Sequence, residues 1–212
     1  VNLLLLLACI DGRVPVEVAI DFEPVVPTST DVAEGSLVFE TFTVTVSNLR
    51  LLGAPDPLSA WRPSLMAAAY AHPGHEFAGA VRAELLGEHT LDAVGEPQPL
   101  GVAGGFSGDV VAARIELYEA HVTGRLETAD GVLPFDVFLP LDRPLPGLDL
   151  SASLVPERLE TFTLAFDADA ALAFVEWSDE NGDGRLDGAD ERFFNTFVFG
   201  VSSLDAWSLE HK

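Results

Sequence analysis

From residue 14 onward, apolar and polar residues alternate with a period of two, the spacing of a strand that buries one face. Val14, Val16, Val18, Ile20 and Phe22 interleave with Glu17, Asp21 and Glu23, until Pro24, Pro27 and a polar stretch through Gly35 break the run. Phe42, Val44 and Val46 alternate with Thr41, Thr43, Thr45 and Ser47. Leu49 and Leu51 then take the opposite parity, which predicts a bulge or bend near Asn48. Alternation returns at Val81, Ala83 and Leu85, at Val111, Ala113, Ile115 and Leu117, and in the stretch from Val122 to Leu126. Asp130-Gly131 is a compact turn signal, and Leu133, Phe135, Val137 and Leu139 after it complete a predicted hairpin. Leu148 to Leu154 and Phe162 to Phe166 give two further strands. The segments 54–78 and 87–108, rich in Pro and Gly, read as connections, with a short helix predicted from Ser64 to Ala71. Seven or more strands without a long intervening helix predict a mainly β protein, an antiparallel β-sandwich.

The period changes after Phe166. Asp167 or Asp169 is placed to N-cap a helix through Ala170, Leu172, Phe174 and Trp177. Phe193, Phe194, Phe197 and Val198 recur at helical spacing, although their aromatic and β-branched character also suits a strand. The expected organisation is a β-domain over residues 9–166 and a helix-loop-helix-like segment over 167–212.

Between those helical patterns lies Asp179-Glu180-Asn181-Gly182-Asp183-Gly184-Arg185-Leu186-Asp187-Gly188-Ala189-Asp190. A calcium ion takes six to eight oxygen ligands, and a twelve-residue loop supplies them from positions 1, 3, 5, 7, 9 and 12. Those positions are Asp179, Asn181, Asp183, Arg185, Asp187 and Asp190. Arg185 contributes through its backbone carbonyl, Gly184 stands at the sharp turn of position 6, and Leu186 is an inward-packing residue at position 8. Position 12 is Asp190 in place of the bidentate Glu of sensor loops, and Glu191, where an apolar residue is usual, is an additional oxygen donor in a deformed loop. The loop resembles EF-hand and dockerin-type calcium loops, which implies calcium as the cofactor. Only one loop is present, and Met66 is the only methionine, so a paired sensor with a Met-rich groove is not expected.

Charge and cysteine usage narrow the setting. Acidic residues outnumber basic ones 34 to 11, a formal charge of −23, which repels nucleic acid and anionic lipid head groups and attracts cations. One cysteine excludes an intramolecular disulfide. It ends the run Leu3-Leu4-Leu5-Leu6-Leu7-Ala8-Cys9, which resembles a bacterial lipobox, although no Lys or Arg precedes it. That resemblance implies removal of residues 1–8, lipidation of Cys9 and an exported protein in the periplasm or at the outer membrane, touching a membrane only through its anchor. The region from Phe39 to Phe166 resembles bacterial lipoprotein domains of unknown role that form immunoglobulin-like or transthyretin-like sandwiches. The resemblance is carried by residues 43–49, 108–115 and 162–168, and it implies no active site.

Other chemistry is thinner. His72 and His75 flank a Pro-Gly turn, and with Glu76, His89 or His121 they offer a second metal site, for copper or zinc. No Gly-x-Ser-x-Gly, phosphate-binding loop or dinucleotide fingerprint occurs, and Ser107 sits in a loop with no motif around it. Acid pairs for glycoside hydrolysis are available among so many carboxylates. Trp61, Trp177 and Trp207 are candidates to stack on sugars or, more ordinarily for a β-domain, to fill a core. No catalytic set is expected, and the protein or glycan partner is not specified.

Overall fold

The structure, a computed structural model, describes residues 14–25, 31–32, 35–55 and 79–212. Cys9, the helix expected over 64–71, Trp61, His72 and His75 lie outside the described residues. The protein is mainly β. Its strands are β1 (Pro15–Val25), β2 (Asp31–Val32), β3 (Gly35–Pro55), β4 (Gly79–Asp92), β5 (Gln98–Phe106), β6 (Gly108–Thr128), β7 (Gly131–Leu154), β8 (Glu160–Asp167) and β9 (Trp207–His211). Two helices, α1 (Ala168–Leu172) and α2 (Glu191–Val201), and a 3-10 turn (Leu204–Ala206) stand between β8 and β9.

The strands join into one path, β7-β6-β3-β4-β5-β1-β8-β9, with β2 paired on β3. The sheet is mixed: β1 runs parallel to β8, from Val18 beside Glu160 to Val25 beside Asp167. The two ends of the path, β7 and β9, approach each other, so the sheet curls around its own apolar face. Three strands run to twenty-one residues or more (β3, β6 and β7), and each is bent by shifts in register. One shift falls where the sequence places it. Asn48 has φ of +50°, and pairing slips there on both sides of β3. Its side chain donates to Glu116 Oε2 at 2.9 Å. The slip returns Leu49 and Leu51 to the inner face, both almost fully buried. A shift in β6 turns Val110 inward and leaves Val111 exposed, the reverse of the simple alternation.

The expected hairpin is β6–β7, closed by Ala129 and Asp130, with Thr128 Oγ1 accepting the N–H groups of Asp130 and Gly131. Pro134, Pro140 and Pro144 all fall in β7, the end strand of the path, where missing N–H donors cost few ladder bonds. The connection expected over 87–108 is instead mostly strand: β4 continues to Asp92 and β5 begins at Gln98. Glycine makes this pairing possible. A Cβ on Gly105 would stand 2.2 Å from the Arg82 carbonyl oxygen, so β5 crosses β4 only where it has no side chain. The turn after it is structural, since Ser107 Oγ accepts the Val14 N–H at 3.0 Å.

One contiguous core spans both expected segments, from Val16 to Leu209. Phe42 lies at its centre, 5.4 Å from Phe166 on β8 and 5.9 Å from Phe197 on α2, both edge-on. Trp207 packs 4.8 Å from Phe166 and donates its indole N–H to the Val201 carbonyl, which ties the end of α2 to β9. At the other end of β9, buried Glu160 is held by His211 at 2.8 Å and Arg158 at 3.2 Å. Replacing Phe42 with Ala removes the ring that joins sheet to helix. The expected cost is about 3–5 kcal/mol in urea unfolding with an unchanged m-value, and a loss under about 1 kcal/mol would contradict this role.

Candidate acidic loop site

The loop 179–190 is held at both ends by the core. On its entry side the chain does not form the expected helix through Trp177. Asp167 caps α1 by accepting the Ala170 N–H at 3.0 Å, but α1 ends at Leu172. The next residues run irregularly, with the Glu176 N–H on Thr196 Oγ1. Leaving the helix lets Trp177 insert among Phe135, Phe193 and Phe197, with ring centroids 5.4–5.8 Å apart. The helix thereby forgoes about one and a half turns, and the indole gains a core position, 4% exposed. On the exit side the helical reading holds: α2 starts at Glu191 and buries Phe193, Phe197, Gly200 and Val201. The arrangement is loop and exit helix, without a helix adjoining the loop on entry.

Within the loop every acidic side chain turns back on the backbone. Asp179 accepts the N–H groups of Gly182 at 2.7 Å and Gly184 at 2.9 Å. Asn181 Oδ1 accepts from Asp183, Asp183 Oδ1 from Arg185, and Asp187 Oδ1 from Ala189. Gly184 has φ of +84°, the left-handed conformation expected at that turn. Leu186 is fully buried and forms a parallel bridge with Phe135 of β7, its N–H on the Pro134 carbonyl at 2.9 Å.

Asp190 is the hub. It is fully buried, and it does not cap α2 through its side chain. Its carboxylate faces the loop: Oδ1 accepts from Glu180 at 2.8 Å and Asn181 at 3.3 Å, and Oδ2 from Asp187 at 3.0 Å. Glu180 takes over the cap, with Oε2 on the Arg192 N–H at 3.0 Å and Oε1 on Arg192 Nε at 3.2 Å. Glu191, the extra donor considered from sequence, is exposed in the first turn of α2.

One cation already sits among the carboxylates. Arg185 Nε lies 3.4 Å from Asp183 Oδ2, and its terminal nitrogen pairs with Asp187 Oδ2. The Ala189 N–H, and then the Arg185 charge, hold the Asp187 carboxyl below the usual carboxylate range against an opposing effect of burial. Among the described residues, no three His, Cys, Asp or Glu side chains are grouped as they would be around a metal ion. The oxygen chemistry nevertheless fits a hard cation. Asp179, Asn181, Asp183, Asp187 and Asp190 each offer a side-chain oxygen, and an oxygen that accepts one N–H, such as Asp190 Oδ2, keeps a further lone pair.

The other candidates separate. His89 pairs with Val46 on the inner face, and His121 pairs with Thr43 on the outer face, where it bonds Asp136 at 2.8 Å. They cannot share one ion. Trp177 and Trp207 are both 4% exposed, so neither offers a stacking platform for a sugar. The hub role of Asp190 was not legible, because position 12 was read only as a ligand.

Substituting Asp190 with Ala strands three inward N–H groups. It should cost about 3 kcal/mol in urea unfolding with chelator present, since bonds to a charged acceptor contribute about 1.5–3 kcal/mol each and part of the loop relaxes. A cost no larger than that of Asp183→Ala would refute the hub assignment.

Comparison with protein-family models, with curated proteins and with solved structures gives no match.

Proposed function

We propose that this chain is an exported, lipid-anchored cell-envelope protein of immunoglobulin-like or transthyretin-like sandwich type, and that its 179–190 loop holds one calcium ion as a structural staple. Its role is structural or binding, not catalytic. The observation that carries the calcium reading is the placement of the loop. Five oxygen-bearing side chains and the Arg185 carbonyl occupy the six ligand positions of a single turn whose ends enter the core at Trp177 and Phe193. Bound calcium supplies a divalent charge that offsets the mutual repulsion of the clustered carboxylates. Asp179 and Asp190, at the two ends of the loop, gain a common partner, and Leu186 and Phe135 transmit that restraint to β7.

A staple suits the packing better than a sensor. Phe193 and Phe197 on the exit helix are fully buried against the sheet, so α2 is not free to swing and expose a groove. The affinity expected for such an extracellular module is about 10⁻⁴–10⁻³ M. The cell-envelope location rests on the run from Leu3 to Cys9. Among the described residues no helix is long and apolar enough to cross a membrane, and lipid on Cys9 is the membrane contact this reading requires.

Calcium at ten times its Kd should add about 1.4 kcal/mol and raise Tm by roughly 3–5 °C, reversed by chelator. The same addition should leave an Asp183→Ala variant almost unmoved. A Tm indifferent to calcium and chelator in the native protein overturns the staple. Mass spectrometry of protein from the native host tests the anchor, and an unacylated Cys9 in a full-length cytoplasmic chain overturns that part.

A further inference from the structure

Arg185 is the one residue of the loop whose charge opposes the cation the loop is proposed to hold. Its guanidinium touches Asp183 through Nε and Asp187 through a terminal nitrogen. Those two carboxylates stand at ligand positions 5 and 9, while Arg185 itself stands at position 7, where only the backbone carbonyl is needed. The side chain is therefore free to serve a second purpose. It reaches both carboxylates from between them along the chain.

We propose that Arg185 is a tethered competitor: its guanidinium occupies the carboxylates of Asp183 and Asp187 and so sets the calcium threshold of the loop. This rests on the calcium reading above. A metal ion shared by Asp183 and Asp187 would meet the charge of the Arg185 guanidinium beside both carboxylates, so the guanidinium must withdraw for the ion to bind. The affinity of the loop is then reduced by the stability of the paired form, as for any site whose competent state is only partly populated. The same pairing has a benefit at low calcium. It neutralises part of the repulsion among Asp179, Asp183, Asp187 and Asp190 and keeps the loop closed over Leu186. Calcium binding thereby exchanges one internal cation for another, and the folded loop persists on both sides of the exchange.

Arg192 provides the control. It carries the same charge two residues after the loop, but it pairs with Glu180, which is not at a ligand position. A general field effect would treat the two arginines alike, whereas competition singles out Arg185. Both side chains are mostly exposed, 62% and 71%, so neither substitution threatens the fold.

The experiment is calcium titration by calorimetry on the full chain, with Tm at fixed calcium as a second readout, for the native protein, Arg185→Gln and Arg192→Gln. Opening two exposed ion pairs predicts that Arg185→Gln binds calcium about three- to tenfold more tightly, while Arg192→Gln changes affinity less than about twofold. In chelator, Arg185→Gln should melt lower than the native protein, because its carboxylates lose their internal partner. Equal affinities for the native protein and Arg185→Gln, or equal gains from both substitutions, overturn the competitor while leaving the calcium site intact. If none of the three proteins binds calcium, the calcium reading itself fails, and the competitor with it.

Discussion

A column of aromatic rings runs through the core of the curled sheet, and the C-terminal architecture is built on that packing. Phe166 and Phe42 come from the sheet, Phe197 and Phe193 from α2, Trp177 from the approach to the loop, and Phe135 from β7. Each lies within 6 Å of the next, centroid to centroid. Edge-on and tilted rings gain directional contact beyond the area they bury. A strand at one end of the sheet, a strand near the other, a helix and a loop are thereby fixed to one another by side chains far apart in sequence. The approach of β7 to β9 follows: each flanks the same column of rings, Phe135 on one side and Trp207 on the other.

The loop inherits its shape from this column. Trp177 and Phe193 are pinned, so the residues between them must turn within a fixed span. The turn exposes inward N–H groups that need acceptors, and Asp190 meets three of them from a fully buried position. Burying a carboxylate is costly unless it is well bonded, and a single carboxylate bonded three ways within one turn is such a case. Asp190 therefore holds the turn, and under the proposed calcium reading it would offer oxygen to the cation as well. The shorter Asp suits the first role, because it stays inside the turn, where a Glu would push its carboxylate further out.

How much of this was legible depends on where the information resides. The strand pattern and the bulge at Asn48 were legible because parity is a local property: Val46 and Leu49 cannot both face inward without a slip between them. The helix at 191–201 was legible from the spacing of its phenylalanines. β5 was not, because Gly101, Gly104 and Gly105 carry no side chains from which parity can be read, and the value of Gly105 lies in what it avoids touching on β4. β9 was missed because only Trp207 and Leu209 mark its inward face, and two residues are too few to show a period. The parallel pairing of β1 and β8 was hidden as well, since partner choice is decided by a core that local sequence does not describe. The left-handed turn at Gly184 and the buried Leu186 are legible in the loop's spacing, whereas the pairing of Arg185 is not, because the loop pattern asks only for a backbone oxygen at that position.

The pairing of Arg185 bears on how a lone acidic loop survives without a paired partner loop. Clustered carboxylates repel, and a loop that depended wholly on a metal would open whenever calcium fell. Here three forces resist opening in turn. The rings hold its ends, Asp190 holds its backbone, and Arg185 offsets part of its charge. Only the third carries a charge that would repel a metal ion, since the rings are apolar and Asp190 is itself an anion. Under the proposed calcium reading, a loop built this way trades affinity for persistence. That trade would suit a compartment where calcium is abundant, and a staple that is usually occupied rather than a switch that must release.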